Sequence, residues 1–342
     1  MMAWLVPLTA MLVTLLLTPL VRRLVLAHGL VDKPGNRRSH SLPTPRGGGL
    51  ALVAGLSVSL IIAAPLGHLT GSTGYSTLLL IALLGLLGGS DDVFELGVGV
   101  RLACQVLIAS VMLLVLGGVG SITVAGIDVH QPFLFSGLAL VAVVWLINLH
   151  NFMDGSDGLA AMQASWTGLM FGWIFWRDFQ LWEMLVSVSL AGAALGFLVW
   201  NRPVARIFLG DIGSVVIGGL VAWLALNALI LGSASIWISL IVCSVFVVDA
   251  TATLLLRVIR RERWYTPHRM HAYQKLIRSG WSHGWVLTLY AAVNLLLVLP
   301  VTLWALARPE LDIVLAMGVA ALLATGWWRI QSAANGESES HD

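Results

Sequence analysis

Five aspartates in three short stretches carry the chemistry this sequence can do. They are Asp91 and Asp92 in "LGGSDDVFEL", Asp154 and Asp157 in "NFMDGSDGL", and Asp211 in "RIFLGDIGS". Each stretch sets carboxylates beside glycine where an apolar run ends. One such aspartate reads as a helix cap, because its carboxylate accepts backbone N–H groups. Five gathered at one membrane face would repel one another unless a cation joined them. Mg²⁺ takes oxygen ligands, usually one or two protein carboxylates with substrate phosphates completing its shell. The adjacent Asp91 and Asp92 would point about 100° apart on a helix and can serve separate roles. Asp154 and Asp157 have the i, i+3 spacing of one helical face, and Asn148 and Asn151 repeat it one turn earlier. Amides there could orient a carboxylate or bind a sugar or a phosphate.

Two polar loops could supply the complementary charge. Residues 32–50, "DKPGNRRSHSLPTPRGGGL", are too rich in Pro and Gly for a helix. Lys33, Arg37, Arg38, His40 and Arg46 could form an anion site there, or hold anionic lipid heads. The glycines after Arg46 suit close contact with phosphate. Residues 257–283, "RVIRRERWYTPHRMHAYQKLIRSGWSH", place His268 and His271 at i, i+3. Two histidines are too few for a zinc site, so binding of a phosphate or diphosphate is the preferred reading. His150 reads as packing, and His28, His68, His130, His283 and His341 have no comparable setting. Asp249 falls inside an apolar run, where a charge is usually functional or paired. Arg257 lies about 12 Å further along a helix, so another helix should supply the partner.

The elements that must position these residues are membrane helices. The chain has 342 residues, 58% of them hydrophobic and 11% charged, with a mean hydropathy of +0.90. That excludes an ordinary soluble domain. Apolar runs near the roughly 20 residues needed to cross a bilayer recur at 2–21, 47–66, 75–89, 101–118, 133–148, 159–176, 182–200, 213–232, 236–256, 284–305 and 311–329. The expectation is an all-α polytopic membrane protein of about eleven transmembrane helices, with no β-barrel alternation. Of the 19 Lys and Arg, all but Arg177 and Arg308 then fall in loops of one side. The positive-inside rule puts that side in the cytoplasm, the N-terminus in the periplasm and the C-terminus in the cytoplasm. All five aspartates land on the same cytoplasmic side. Residues 1–330 read as one catalytic domain, with its site on the loops 32–49, 90–100, 148–158, 201–212 and 257–283. Residues 331–342, polar throughout, read as a disordered tail. Residues 121–133 alternate Thr, Val and Ile around Gly126 and read as a small hairpin on the far face. Cys104 and Cys243 lie in apolar runs and read as small buried hydrophobes.

Taken in order, "DKP…R.H…P.GGG" at 32–49, "DDVFE" at 91–95, "NxxNxxDGxDGL" at 148–159, "FLGDxGS" at 208–214 and the histidines at 268–271 resemble a known family. It is that of the polyprenyl-phosphate N-acetylhexosamine-1-phosphate transferases, related to the phospho-MurNAc-pentapeptide transferase, and the resemblance covers nearly the whole chain. Glu95 stands where the family's acidic motif commonly carries a third aspartate, and "HRMHAYQK" replaces a run of adjacent histidines. The latter form looks like the O-antigen-initiating branch. The resemblance implies transfer of a sugar 1-phosphate from a UDP-N-acetylhexosamine to undecaprenyl phosphate in the inner membrane, with release of UMP. It implies Mg²⁺, with Mn²⁺ as a substitute, no nucleic acid partner, and leaves a homodimer open. Asp211 is expected to bind the metal, assisted by Asp154 or Asp92, and Asp91 to position or deprotonate the lipid phosphate. His268 and His271 would hold the donor diphosphate. Lys33, Arg37, His40, Arg46, Asn148, Asn151, Asp157 and Arg257 would bind substrate. Direct attack is favoured over a route through an aspartyl-phosphate. A transporter of an anionic solute is the competing class; it would favour acids near the bilayer midplane and internal repeats, and only Asp249 is so placed.

Overall fold

The computed structural model describes residues 4–29, 31–32, 43–64, 72–124, 126–263 and 268–339. Lys33, Arg37 and His40 lie outside the described residues. Each expected span coincides with helix: α1 Leu5–Ala27, α2 Gly49–Ala63, α3 Ser72–Phe94, α4 Val98–Leu116, α5 Pro132–Phe152, α6 Leu159–Arg177, α7 Leu181–Asn201, α8 Asp211–Ile230, α9 Ile236–Ile259, the run α11 His283–Val293 through α12 Leu299–Ala307, and α13 Asp312–Glu339. A short α10, Ala272–Arg278, lies in the histidine loop. Nine helices among the described residues are long and apolar enough to cross a membrane. The expected spans outside that set are α2, with 15 residues, and α6, whose run is diluted by Gln163 and by its tryptophans.

Local chemistry explains most boundaries. Gly117 ends α4 in the left-handed conformation, and Ser235 and Ser282 accept backbone N–H bonds at the starts of α9 and α11. Between α11 and α12 the helix widens into a π turn, Asn294–Val298, just before Pro300. A proline in a helix removes one N–H and crowds the carbonyl four residues back, and the wider turn accommodates it. β3 Ser121–Val124 pairs antiparallel with β4 Ile127–His130 around Gly126, so the expected hairpin is present. It lies between α4 and α5, at the opposite end of the bundle from the acidic loops. The last helix, α13, is drawn through Glu339.

The helices are not equivalent. In α8, 89% of the apolar window is buried, against 17% in the last helix. α8 is therefore the axis of the bundle, with α5 and α3 packed along it. Lipid tails are as apolar as leucine, so close backbone approach replaces the hydrophobic effect as the means of joining such helices. Gly192 and Gly196 of α7 show this: a Cβ on the first would meet the carbonyl of Pro7, and one on the second that of Met11, both in α1. Gly218 of α8 lies in the same way against Leu146 and Ile147 of α5.

Gly196→Val should therefore push α1 off α7 and lower stability by about 1–3 kcal/mol, the usual range for overpacking. Gly137→Ala, inside α5 with no atom near its added Cβ, should not destabilise and should add up to about 1 kcal/mol. Thermal unfolding in one detergent checks both.

Candidate active site

The site forms where α8 begins. The first N–H groups of a helix have no partner within it. Gly210 precedes α8 with φ of 78° and brings no side chain. The partner comes from α3: Asp92 accepts the N–H of Asp211 at 2.9 Å and of Ile212 at 3.0 Å. An aspartate is thus a helix cap, but of a helix distant in sequence. The approach needs Gly88, where a Cβ would lie 2.7 Å from Ile212 Cα. It also needs Gly210, where a Cβ would lie 2.8 Å from Asp92 Oδ2.

Arg46 closes the arrangement. Its Nε lies 3.0 Å from Asp92 Oδ1 and its Nη2 lies 2.6 Å from Asp211 Oδ1. Burial opposes its charge, but Asp211 and Asp92 outweigh burial and hold the guanidinium protonated above the usual arginine range. The loop carrying Arg46 is stitched in place by backbone. β1 Val31–Asp32 pairs with β2 Thr44–Pro45. Phe208 N–H donates to Pro45 O at 2.8 Å, and Gly48 and Gly49 donate to Phe208 O and Leu209 O at 2.9 and 2.7 Å. The glycines after Arg46 serve close packing, since a Cβ on Gly48 would collide with the Phe197 ring.

Four of the five aspartates share this centre. Asn151 Nδ2 donates to Asp211 Oδ1 at 2.6 Å and to Ser214 Oγ at 3.1 Å. Asp154 follows α5 and faces Arg46, Asp211 and Asp92, with the backbone of Gly210 bonded to its carboxylate. Burial, reinforced by Asp211 and Asp92, pushes Asp154 well above the ordinary carboxylate range despite Arg46. Asp91 faces Asp211. Its Oδ1 accepts Leu96 N–H at 2.8 Å and its Oδ2 accepts from Arg101 at 2.9 Å, closing the turn from α3 to α4. Glu95 is exposed on that turn with φ of 49° and does not join the acids.

Asp157 stands apart, as a tie between loops. Its Oδ2 accepts Ala205 N–H at 3.0 Å, and its own N–H donates to His283 Nδ1 at 3.2 Å. Asn148 turns to α4, donating to Gln105 Oε1 at 2.6 Å, beside Asp91 and Arg101 in a hollow of about 20 Å³. The main cavity, about 230 Å³, is lined by Asp32, Arg46, Asn151, Asp154, Asp157 and Asp211 together with Asn201, Gln274 and His283. The last three escaped the sequence reading. Asn201 accepts Gly158 N–H at 2.9 Å and donates to Ile207 O at 2.9 Å. The one available signal for His283 was the Ser-His pair opening an apolar helix, and it points to a cap rather than to a site.

Arg257, His268 and His271 are outside this lining. His271 is buried, 3.7 Å from Asp249 Oδ1. Arg257 donates to Arg263 O at 2.6 Å and pairs with Glu262 at 3.3 Å. His268 is pulled down to about 3 by burial, then by His271 and Arg257, and is neutral at pH 7. Among the described residues no three of His, Cys, Asp and Glu surround one point closely enough to hold a metal. An all-oxygen set remains, with Asp154 and Asp211 facing the cavity beside Asn151. Both oxygens of Asp92 are engaged by α8, and one also by Arg46. Such a set suits a hard cation that takes one or two carboxylates.

Fold and site together define a multi-pass helical membrane protein with its polar chemistry gathered at one end. The chain belongs to glycosyl transferase family 4: the model of that family matches residues 75–229. A decaprenyl-phosphate N-acetylglucosaminephosphotransferase of Mycolicibacterium smegmatis is 34% identical, over 82% of this chain and 76% of the relative. A probable undecaprenyl-phosphate N-acetylglucosaminyl 1-phosphate transferase of Bacillus subtilis is 28% identical, over 86% and 84%. A phospho-N-acetylmuramoyl-pentapeptide-transferase of Anoxybacillus flavithermus is 29% identical, over 84% and 93%.

The raised pKa of Asp154 has a testable sign. The folded protein binds this proton more tightly than the unfolded chain, so stability falls as pH rises from the ordinary carboxylate range through the raised value. Asp154→Asn should raise the melting temperature of chelator-treated protein at neutral pH. The gain should shrink toward pH 4, where the folded carboxyl is protonated and the unfolded one is about half protonated. Melting curves in detergent from pH 4 to 8 check this.

Proposed function

We propose that this protein transfers N-acetylhexosamine 1-phosphate from a UDP-sugar to a polyprenyl phosphate and releases UMP. The observation that carries the reading is the convergence of Arg46, Asp154 and Asp211 on one cavity, with Asp92 of α3 bonded to Arg46 and to the start of α8 behind them, in a chain of this family. The names of the relatives support a polyprenyl phosphate as acceptor and make UDP-N-acetylglucosamine the first donor to try. Undecaprenyl phosphate, a bacterial inner membrane and a place at the start of O-antigen or related envelope polysaccharide synthesis complete the reading. With the Arg-rich loops in the cytoplasm, the acidic end faces the cytoplasmic pool of nucleotide sugars.

The chemistry is an in-line displacement. An oxygen of the lipid phosphate bonds to the phosphorus nearest the sugar, and the bond from that phosphorus to the bridging oxygen breaks. The electron pair leaves with UMP. Both reactants are anions, so the chain's task is to offset repulsion and to align them. A lipid phosphate near pH 7 is already largely ionised if its second pKa is about 6, and direct attack needs no strong base. Asp91, with both oxygens engaged by Leu96 N–H and Arg101, is assigned to holding the turn from α3 to α4 rather than to taking a proton. Arg46 carries a fixed positive charge toward the phosphates.

Asp154 and Asp211 would hold Mg²⁺, which supplies charge neutralisation for the transferring phosphoryl group. The local charge fits: three carboxylates, of Asp92, Asp154 and Asp211, against one guanidinium leave two negative charges when all are ionised. Asn151 fixes the Asp211 carboxylate, and Asp157 with His283 fixes the loop that carries Asp154. His268 and His271, with rings 4.9 Å apart, are assigned to the donor diphosphate and Arg257 to substrate binding.

Purified protein in detergent should release UMP from UDP-N-acetylglucosamine only when polyprenyl phosphate and Mg²⁺ are both present. Asp211→Asn should lower the rate on the order of a hundredfold or more, and EDTA should abolish it. UMP release without lipid, or a folded, lipid-loaded protein that neither turns over nor binds any UDP-sugar, would overturn the assignment.

A further inference from the structure

Asp249 is a buried carboxylate that the chemistry above leaves unused. It sits inside α9, about 15 Å by helical rise from the end at Ile259. A charge at that depth is strongly disfavoured unless it is held by partners. Apart from Thr253 on the same helix, those partners come from other elements. Oδ1 accepts the N–H of Ala272, the first residue of α10, at 2.8 Å. The same oxygen lies 3.4 Å from Thr253 Oγ1 and 3.7 Å from His271 Nδ1. Oδ2 accepts the hydroxyl of Tyr290, from α11, at 2.7 Å.

The last helix binds the same region from its other side. Trp327 Nε1 donates to Thr253 Oγ1 at 3.0 Å, and Gln331 Nε2 donates to Met270 O at 2.6 Å. The segment so held touches the acidic loop. The His271 ring lies 6.3 Å from that of Phe152, the last residue of α5. Tyr273 donates its hydroxyl to Phe152 O at 2.9 Å. A Cβ on Gly155 would collide with that same hydroxyl. Asp249 thus sets the height at which residues 268–273 enter the bundle, and Tyr273 passes that height to the turn bearing Asp154.

We infer that Asp249 is a positioning residue for the active site. Its carboxylate anchors the start of α10 and His271, and through them fixes His268 and the 152–155 turn. The inference rests on the transferase reading for its effect on rate, but not for its effect on the loop. Asp249→Asn keeps an oxygen for Ala272 and removes the charge facing His271. Tyr290→Phe removes a single donor and leaves the carboxylate in place.

The test combines turnover with hydrogen exchange of the full-length protein in detergent. Asp249→Asn should lower kcat/KM on the order of tenfold to a hundredfold, the effect of a small misplacement at a reacting centre. It should cause little further loss in a His268→Ala background, because two changes acting on one unit do not add. Amide exchange over 268–278 should quicken while α1 and α7 keep their protection. Tyr290→Phe should do the same to a smaller degree. Losses that multiply in full in the His268→Ala background, with exchange over 268–278 unchanged in both variants, would overturn the inference. Should the wild type release no UMP, exchange alone decides. Faster exchange in Asp249→Asn would then uphold the anchoring role while the transferase reading falls, and unchanged exchange would overturn both.

Discussion

The start of α8 is the constraint on which this structure turns. A helix that begins inside a bundle exposes unpaired N–H groups and a partial positive charge where water is scarce. Gly210 offers no side chain, so the carboxylate of Asp92 must come from α3. That carboxylate in turn needs a counter-charge, and Arg46 provides it while reaching Asp211. Three chain segments are thereby fixed around one helix end. The small residues at 48, 49, 88 and 210 follow from that closeness, because each added Cβ would strike a neighbouring element.

The division between what the sequence shows and what it hides follows from the range of the forces involved. Helix positions were legible because the requirement to satisfy every backbone group in lipid leaves a strong local imprint of apolar length. The Thr-Val-Ile alternation around Gly126 was legible for the same local reason. The acids were legible as a group by their glycine neighbours. Their division of labour was not. Asp92 caps α8 rather than the helix that follows it, Asp91 closes a turn, and Asp157 ties three loops together. Those roles depend on which helix ends meet, and periodicity carries no such information.

The histidines show the same limit. The i, i+3 spacing of His268 and His271 agrees with rings 4.9 Å apart, but it does not foretell that one is buried against Asp249 and the other partly exposed. His283, unremarkable in sequence, lines the cavity because α11 starts beside the loop of Asp157. Polar residues in a membrane bundle are read most safely by what packs against them, since many of them join helices rather than touch a substrate.

The bridge between Arg46 and Phe208 has a consequence for how the molecule comes into being. Arg46, Asp92 and Asp154 are all synthesised and threaded into the bilayer before residues 208–211 leave the ribosome. Until then Asp92 has no helix end to cap and Arg46 has neither its strand partner nor Asp211. The catalytic pocket is therefore among the last features to assemble, although most of its residues are made early. A nascent chain that stalls before α8 carries its acids without a pocket, so chemistry begins only once the central helix is seated.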